Sequence, residues 1–278
     1  MTLAVWQGRK TPLQLGLKSC SADMWVNSPD MFGQPDRVAK QLALKASLLE
    51  THLPEIFVAL PEAMDACSVL GSLIADWCHT SLPADEHPLL ASGRLVADDL
   101  LLLSNDDTAG NWILKAALLA FPSHWQLSTK IGKPMRAIHA PVPAYADKLE
   151  TPVNRFFNMM QIDTISYRLN WTLQVGDTIF TPHPSENEIK DPEDIPTNLF
   201  VRSERQTFRK LPQPAGGLNS DWIVFGIGTH IAPIGLWKDN PTALRDLQLS
   251  ISALSPEMKA YRGVRHYEDA FHKWVDNL

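Results

Sequence analysis

The chain has 278 residues, is 45% hydrophobic and carries a formal net charge of -6. This apolar content is enough for one large domain or two small ones, and the acidic balance argues against nucleic acid or an anionic membrane as partner. No uncharged apolar run reaches the ~20 residues of a membrane span. The amino terminus lacks the apolar core of a signal peptide, and the three cysteines form no C-x-x-C pair. We therefore expect a soluble cytoplasmic protein.

Two amphipathic helices are predicted in the first third of the chain. Apolar residues recur at helical spacing from Asp36 to about His52, and a second helix begins near Pro61, because proline suits the first helical position. Core packing explains the Met, Cys and Trp side chains of both helices. We expect them to wrap around whatever core the rest of the chain forms.

A β-hairpin and a crossover segment are predicted next. The apolar runs Leu100–Leu103 and Trp112–Phe121 are separated by turn-forming residues. Residues 121–145 are rich in Pro, Gly and His and have no sustained period, and connections of this kind often carry binding sites. A helix over Leu149–Met160 follows.

Three strands are predicted in the second half of the chain. Ile165–Val175 alternates apolar and polar residues, and the charged stretch Val201–Pro212 is followed by the apolar run Trp222–Ile231. The proline-rich segment Thr181–Thr197 is predicted to be a surface loop. Ser255–Asn277 is predicted to form one terminal helix.

The charged strand carries an arginine on each face. With a period of two, Arg202, Glu204 and Gln206 share one face and Arg205 lies on the other. An unpaired arginine is costly to bury, and its planar fork suits carboxylates. Two interpretations are open: a solvated edge strand with surface ion pairs, and a clamp for a ligand that bears carboxylates.

Six short segments together resemble the haem-dependent oxidative N-demethylase alpha-subunit family. In order along the chain they are D-D-L-L-L-L, F-P-S-H-W, K-I-G-K-P, I-H-A-P-V-P, R-L-N-W and R-S-E-R-Q-T-F-R-K-L-P. The resemblance implies a PAS-like haem domain that uses O2 to demethylate a small secondary amine. It also implies partner reductase subunits that carry flavin and Fe–S centres, since this chain has no such motif of its own.

The fold expected from the pattern and the resemblance is α+β. A hairpin, a crossover and three antiparallel strands follow the PAS order, although the pattern alone allows other α+β folds. We expect a PAS-like antiparallel sheet core over residues 98–235. Residues 1–97 form an amino-terminal helical wrap and residues 236–278 a carboxy-terminal helical extension, all within one compact unit.

His139 is the candidate axial ligand of the haem iron. Haem needs only one axial histidine, and the chain has no H-x-x-x-H or H-E-x-x-H motif of the kind that zinc hydrolases use. His139 lies in the I-H-A-P-V-P segment, whose prolines would hold the imidazole rigidly. His124, next to Trp125, is the rival ligand. A histidine whose hydrogen bonds are satisfied within a tight loop is the structural alternative.

Four cations are candidates to bind the haem propionates, because arginine pairs bidentately with carboxylates. They are Lys130, Arg168, Arg202 and Arg205. Internal pairing with Glu204, Asp98 or Asp99 is the alternative.

Three uncharged residues are predicted to line the pocket, and two others to handle protons. Gln206, Asn170 and Trp171 form the first group, with Asn170 on the polar face of its strand and Trp171 on the apolar face. Glu204 and His230 form the second.

The family tends to have an arginine and a tyrosine where this chain has Gly228 and His230. These two residues point to the same side as Gly226, so the glycines leave that face bare for a planar ligand or a neighbouring backbone. On this interpretation the pocket is larger and its chemistry is pH-sensitive near neutrality, since histidine titrates near ~6.5. A haem sensor, a non-catalytic ligand-binding PAS-like protein and an unrelated α+β binding domain are the alternative functions.

Overall fold

The computed structural model describes residues 3–7, 15–105, 111–162, 164–213, 217–218 and 220–278. Within them, seven strands form one sheet in which every pairing is antiparallel, in the order β1-β5-β6-β7-β3-β4-β2. The strands are β1 (Lys18–Cys20), β2 (Phe57–Ala59), β3 (Asp99–Ser104), β4 (Ile113–Leu118), β5 (Ile165–Val175), β6 (Leu199–Lys210) and β7 (Trp222–Pro233).

Eleven α-helices accompany the sheet in the described residues. They are α1 (Arg37–Thr51), α2 (Leu53–Ile56), α3 (Met64–Trp77), α4 (Pro88–Leu95), α5 (Met135–Ile138), α6 (Tyr145–Lys148), α7 (Glu150–Met159), α8 (Ile195–Asn198), α9 (Pro241–Ser252), α10 (Pro256–Tyr261) and α11 (Glu268–Asp276). No helix in this part of the chain combines the length and the apolarity that crossing a membrane requires.

The predicted α+β fold with an antiparallel sheet is confirmed. The two amino-terminal helices are α1 and α3, the hairpin is β3–β4, and the predicted crossover helix is α7. Strands β5, β6 and β7 pair in that order. Part of the turn between β3 and β4, and part of the loop between β6 and β7, lie outside the described residues. The PAS-like character of the core stays a prediction.

Two predictions about the second half of the chain were wrong. Ser255–Asn277 is two helices, because Gly263 follows α10 with a φ of 62°, a left-handed conformation that commonly ends a helix. The segment Thr181–Thr197 is only in part a surface loop, because Ile189 and Ile195 are buried and α8 begins within it. Helix α9 was not predicted at all.

The sheet has two covered faces with different partners. The first, which we call the wrapped face, includes Leu100 and Val201 and packs against α1, α3 and α4 at one end and against α9 and α11 at the other. The second, which we call the crossover face, includes Leu101 and Phe208 and packs against the segment from Leu127 to Met160. Burial of each large apolar side chain contributes roughly 1.5–3 kcal/mol to either layer.

Strand β6 lies inside the sheet, hydrogen-bonded to β5 on one side and to β7 on the other. Its Arg202 side chain is 0% exposed. The interpretation of this stretch as a solvated edge strand was therefore wrong. The alternation along β6 does hold, and it assigns each polar side chain of the strand to one face of the sheet.

Candidate functional site

The guanidinium of Arg202 is bound to the protein itself on the crossover face. Its Nη1 donates to the carbonyl oxygen of Ile179 at 3.0 Å and its Nη2 to that of Phe121 at 2.6 Å. Its Nε lies 3.6 Å from Glu204 Oε1. Because Phe121 follows β4 and Ile179 follows β5, Arg202 fastens the chain after each of these two strands to β6.

Arg205 lies on the opposite, wrapped face. Its Nη1 donates to the carbonyl oxygen of Trp25 at 3.2 Å, and its Nη2 donates to the carbonyl oxygen of Met24 and contacts Cys20 Sγ at 3.4 Å. The guanidinium also stacks over the Tyr167 ring at 4.9 Å. Its place in the fold is an anchor for the amino-terminal segment.

A polar strip runs across β5 and β6 on the crossover face. Asn170 lies opposite Glu204, and Arg168 lies opposite Gln206. Gln206 Nε2 donates to Glu204 Oε2 at 2.9 Å, so the Glu204 carboxylate is held on one side by Gln206 and on the other by Arg202. All four residues of the strip are half-buried, which leaves them within reach of solvent or a ligand.

His139 presents a neutral imidazole with one nitrogen tethered. Its Nδ1 is 2.9 Å from the carbonyl oxygen of Met135, and since a carbonyl only accepts, Nδ1 carries the hydrogen. Nε2 then has a lone pair and makes no hydrogen bond in the described part of the chain. Burial lowers the pKa of His139, and the charges of Lys130 and Arg168 lower it further. A tethered, neutral imidazole with a free lone pair is the form that ligates metals.

Tyr145 is a member of this site that the sequence did not reveal. Its ring stacks on His139 with the centroids 4.3 Å apart and the planes at 10°. Its hydroxyl is buried and finds no hydrogen-bond partner among the described residues. Burial raises the pKa of Tyr145 to about 12, so the phenol is protonated and able to donate. No periodic pattern marks this residue, because α6 has only four residues.

The cations Lys130 and Arg168 are brought to the same place. Lys130 Nζ donates to the carbonyl oxygen of Ile138 at 2.7 Å, which anchors it beside His139. Arg168 on β5 acts electrostatically on both His139 and Tyr145. A depression of about 330 Å³, lined by His139, Tyr145 and the loop between them, opens beside the stacked rings.

His124, the rival ligand, lies elsewhere. It is exposed, it has a φ of 58°, and its backbone N–H donates to the carbonyl oxygen of Thr181 at 2.7 Å. That hydrogen bond belongs to a strap between residues 121–126 and 179–183, which is also closed by Thr181 Oγ1 donating to the carbonyl oxygen of Pro122 at 2.9 Å. The structure therefore does not bring His124 to Tyr145.

Glu204 and His230 are separated by the sheet, because His230 lies on the wrapped face. His230 is 0% exposed, and its Nδ1 lies 3.4 Å from the backbone nitrogen of Met31 and 3.5 Å from Asp30 Oδ1. Burial, together with the positive charge of Arg37, lowers the pKa of His230 to about 3. The expected pH sensitivity near neutrality was wrong, because this imidazole stays neutral there.

Gly228 does not enlarge a pocket. A Cβ placed on it would lie 2.8 Å from Asp98 Oδ1, so the buried carboxylate of Asp98 already fills the space above the glycine. A Cβ on Gly226 would lie 2.5 Å from Thr207 Oγ1. Neighbouring side chains therefore fill the space beside these glycines, and the prediction that it is open to a planar ligand was wrong.

Trp171 also lies on the wrapped face, as its alternation with Asn170 predicted. Its ring meets that of Trp6 edge-on at 6.2 Å, and the Arg262 guanidinium lies 5.4 Å from its centroid. Of the ten predicted site residues, Trp171, Arg205 and His230 therefore lie on the wrapped face, on the other side of the sheet from His139.

A buried ion pair joins the wrapped face to the start of the crossover segment. Lys45 Nζ lies 3.6 Å from Asp99 Oδ1, and the Asp99 carboxylate accepts from the backbone N–H groups of Ala120 and Phe121 at 2.9 and 2.8 Å. The sequence shows only the polar side of this pair. Arg37, Gln41 and Lys45 recur every four residues along α1, and all three are buried on one face of the helix.

The described side chains offer one imidazole and two cations at this site. In the part of the chain that the structure describes, no group of three or more His, Cys, Asp or Glu side chains could hold a metal ion. A single imidazole beside two cations is instead the donor set that a haem requires, since the porphyrin supplies the other iron ligands and its propionates need positive partners.

Comparison with known families agrees with this chemistry. Residues 72–272 match the family described as haem-dependent oxidative N-demethylase, alpha subunit-like. Because the match covers most of the chain, the chain belongs to this family. The resemblance carried by the six short segments is thereby confirmed. Comparison with curated proteins found no match.

Proposed function

We propose that this chain is the haem-binding alpha subunit of an oxidative N-demethylase that acts on a small secondary amine with O2. Electrons come from partner reductase subunits that carry flavin and Fe–S centres. The description of the family supports both the haem and the existence of partner subunits. The haem, when bound, supplies the oxygen chemistry, and the chain supplies orientation, charge and proton handling.

The observation that carries the proposal is the state of His139. Its Nδ1 hydrogen is tied to the Met135 carbonyl group, its ring is clamped by Tyr145, and its Nε2 is free to ligate iron. Hydrogen bonding at the second nitrogen fixes the tautomer and the ring orientation of a metal-bound histidine. We assign His139 as the axial ligand on this basis.

Lys130 and Arg168 are the residues that we assign to the propionates. Lys130 is fixed beside His139 by its hydrogen bond to the carbonyl oxygen of Ile138, and the positive charges of both residues lower the pKa of the imidazole. Arg202 and Arg205 serve differently. Arg202 donates to the backbone carbonyl groups of Phe121 and Ile179, whereas Arg205 anchors the amino-terminal segment behind the sheet.

The polar strip of β5 and β6 is the surface that we assign to the amine. Glu204 presents a carboxylate whose orientation is set by Arg202 and Gln206, and Asn170 lies beside it. A carboxylate in this setting can accept a hydrogen bond from an amine N–H and take up its proton. His230 has no part in this step because it lies behind the sheet.

The test begins with haem titration of the purified, haem-free chain. The wild type and the His124→Ala control should show the same Soret band, whereas His139→Ala should bind at least ~10-fold more weakly or change spin state. An unchanged spectrum in His139→Ala would remove the ligand assignment. The absence of a Soret band in the wild type would show that the chain does not bind haem.

Activity is tested separately by single turnover. Reduced, haem-loaded protein is mixed with O2 and dimethylamine, and formaldehyde is measured per haem. Glu204→Gln should keep the Soret band and lose most of the formaldehyde. A haem-loaded wild type that releases no formaldehyde with small secondary amines would favour a sensor or a ligand-binding protein.

A further inference from the structure

The outer side of α7 carries an apolar groove that no element of the described chain covers. Its lining residues are Thr151, Pro152, Arg155, Phe156 and Met159, and its volume is about 470 Å³. Met159 is 63% exposed, and Ile162, three residues further on, is 39% exposed. Large apolar side chains that are exposed together, rather than singly, mark interaction sites.

The α7 groove is separated from the crossover face by one layer of rings. On the inner side of α7, Phe157 packs against Phe208 of β6 with ring centroids 5.6 Å apart, and Phe156, which also lines the groove, lies 5.7 Å from the same ring. The helix follows directly on α6, which carries Tyr145. A partner seated in the groove would therefore lie over the face of the sheet that carries the candidate site.

The segment around the groove is basic although the chain is acidic. Residues 126–162 contain five Lys or Arg and only two Asp or Glu, which gives +3 against -6 for the whole chain. Arg155 lines the groove itself, and Lys133, Arg136 and Lys148 are exposed elsewhere in the same segment, with Arg136 Nε 3.8 Å from Glu150 Oε2. An apolar centre with a charged rim is the usual anatomy of a transient interface, and the rim steers a partner of opposite charge.

We propose that the α7 groove is the docking surface for the acidic face of an electron-delivering partner subunit. This inference rests on the proposed function, since it is the alpha-subunit family and the need for external electrons that require such a partner. Arg155 in the groove and the net positive charge of residues 126–162 favour an acidic partner, and the position of the groove brings that partner close to the candidate site. A second copy of this chain, which is acidic outside this segment, is the competing occupant.

The test compares two matched labelling positions. Thr151 and Thr242 are both exposed threonines at the second residue of a helix, α7 and α9 respectively. Thr151→Cys and Thr242→Cys are labelled with a fluorophore in a background where the half-buried Cys20 and Cys78 are serine. The probe is a small acidic [2Fe–2S] ferredoxin, whose cluster quenches nearby fluorophores, added at low and at high salt.

The docking surface predicts quenching of the label at 151 that is several-fold greater than at 242 and is lost at high salt. Arg155→Glu should weaken this response ~10-fold, whereas the control Arg245→Glu on α9 should not. Equal quenching at both positions, or none at 151, would contradict the proposal that the α7 groove is the docking surface. Concentration-dependent self-quenching at 151 without the probe would assign it to a second copy instead. The binding measurement is made with and without haem, so a failure of haem binding is distinguishable from a failure of docking.

Discussion

At the scale of single residues, the candidate site depends on which side-chain nitrogen atoms already have a hydrogen-bond partner within the protein. His139 has one nitrogen committed to a backbone carbonyl group and one free, whereas both terminal nitrogens of Arg202 are committed to backbone carbonyl groups. Residue type alone does not distinguish these cases. The sequence named both as ligand-binding residues, and only their neighbours in space show that one is available and the other is structural.

Tyr145 offers a test of whether its buried hydroxyl serves a ligand. A buried hydroxyl without a partner costs roughly 1–3 kcal/mol, so Tyr145→Phe should leave the haem-free protein at least as stable as the wild type in urea unfolding. If a bound haem uses the hydroxyl, the same variant should bind haem more weakly. Tyr145→Ala, which also removes the ring stacked on His139, is the control and should lower stability by roughly 3–5 kcal/mol. A clear loss of haem-free stability in Tyr145→Phe would contradict the assignment.

His230 predicts a pH dependence of folding stability rather than of chemistry. Its pKa is about 3 in the folded chain and near 6.5 in the unfolded chain, so between these values the unfolded state binds the additional proton. This contribution to stability is present above pH 6.5 and is lost as the pH falls, by up to ~1.4 kcal/mol per pH unit. His230→Phe cannot take up the proton and removes the contribution.

The measurement is the difference in unfolding free energy between wild type and His230→Phe from pH 7 to pH 4.5. Asp99 changes the stability in the opposite direction, because burial raises its pKa to about 6. Its contribution to the free energy of unfolding is therefore lost as the pH rises from 3.8 to 6. This effect is present in both proteins and cancels in the difference. A difference that does not change with pH would show that His230 titrates normally.

At the scale of elements, the pattern in the sequence was most informative where a side chain meets its own strand or helix. The period of two along β5 and β6 assigned Asn170 and Trp171 to opposite faces, and the structure agrees. The same reasoning could not say what covers each face, because that depends on segments far away in the chain. For this reason Arg205 and His230, which lie on the wrapped face, were predicted to share a site with His139, which lies on the other side of the sheet.

The missed and broken helices have more local explanations. Helix α9 carried readable signals: Asn240 caps it by accepting from the N–H of Ala243, and Pro241 follows in the first turn. The terminal helix was extended across Gly263, whose left-handed conformation is a stop that glycine makes available. Both helices were marked by their caps, whereas the pairing of Lys45 with Asp99 depends on the tertiary structure.

Arg202 predicts a large effect of one side chain on the attachment of the crossover segment. Arg202→Met leaves the carbonyl groups of Phe121 and Ile179 without their donor and Glu204 without its cation, so urea unfolding should show a loss of roughly 3–5 kcal/mol. Lys40→Met, which breaks the exposed pair with Asp36, is the control and should cost at most ~1 kcal/mol. Similar losses in the two variants would show that Arg202 is not a fastener.

At the scale of the whole molecule, the ends of the chain meet over the wrapped face. Trp6 packs against Trp237 with the ring centroids 5.1 Å apart, and its Nε1 donates to the carbonyl oxygen of Ala243 at 2.7 Å. Trp6→Ala should therefore lower the free energy of unfolding by roughly 3–5 kcal/mol and loosen α9 in hydrogen exchange. Leu249→Ala, at a side chain that is 67% exposed on the same helix, should change stability by less than ~0.5 kcal/mol.

The position of β3 between β4 and β7 also has a consequence for synthesis of the chain. All six residues of β3 are buried in the finished sheet, yet their partner on one side, β7, begins at Trp222. During synthesis the edge of β3 that pairs with β7 therefore stays unpaired until more than a hundred residues beyond β4 have been added. Such an edge is a template for pairing with other chains. We expect release of the nascent chain before β7 to give aggregates, and holding chaperones to protect β3 over this interval.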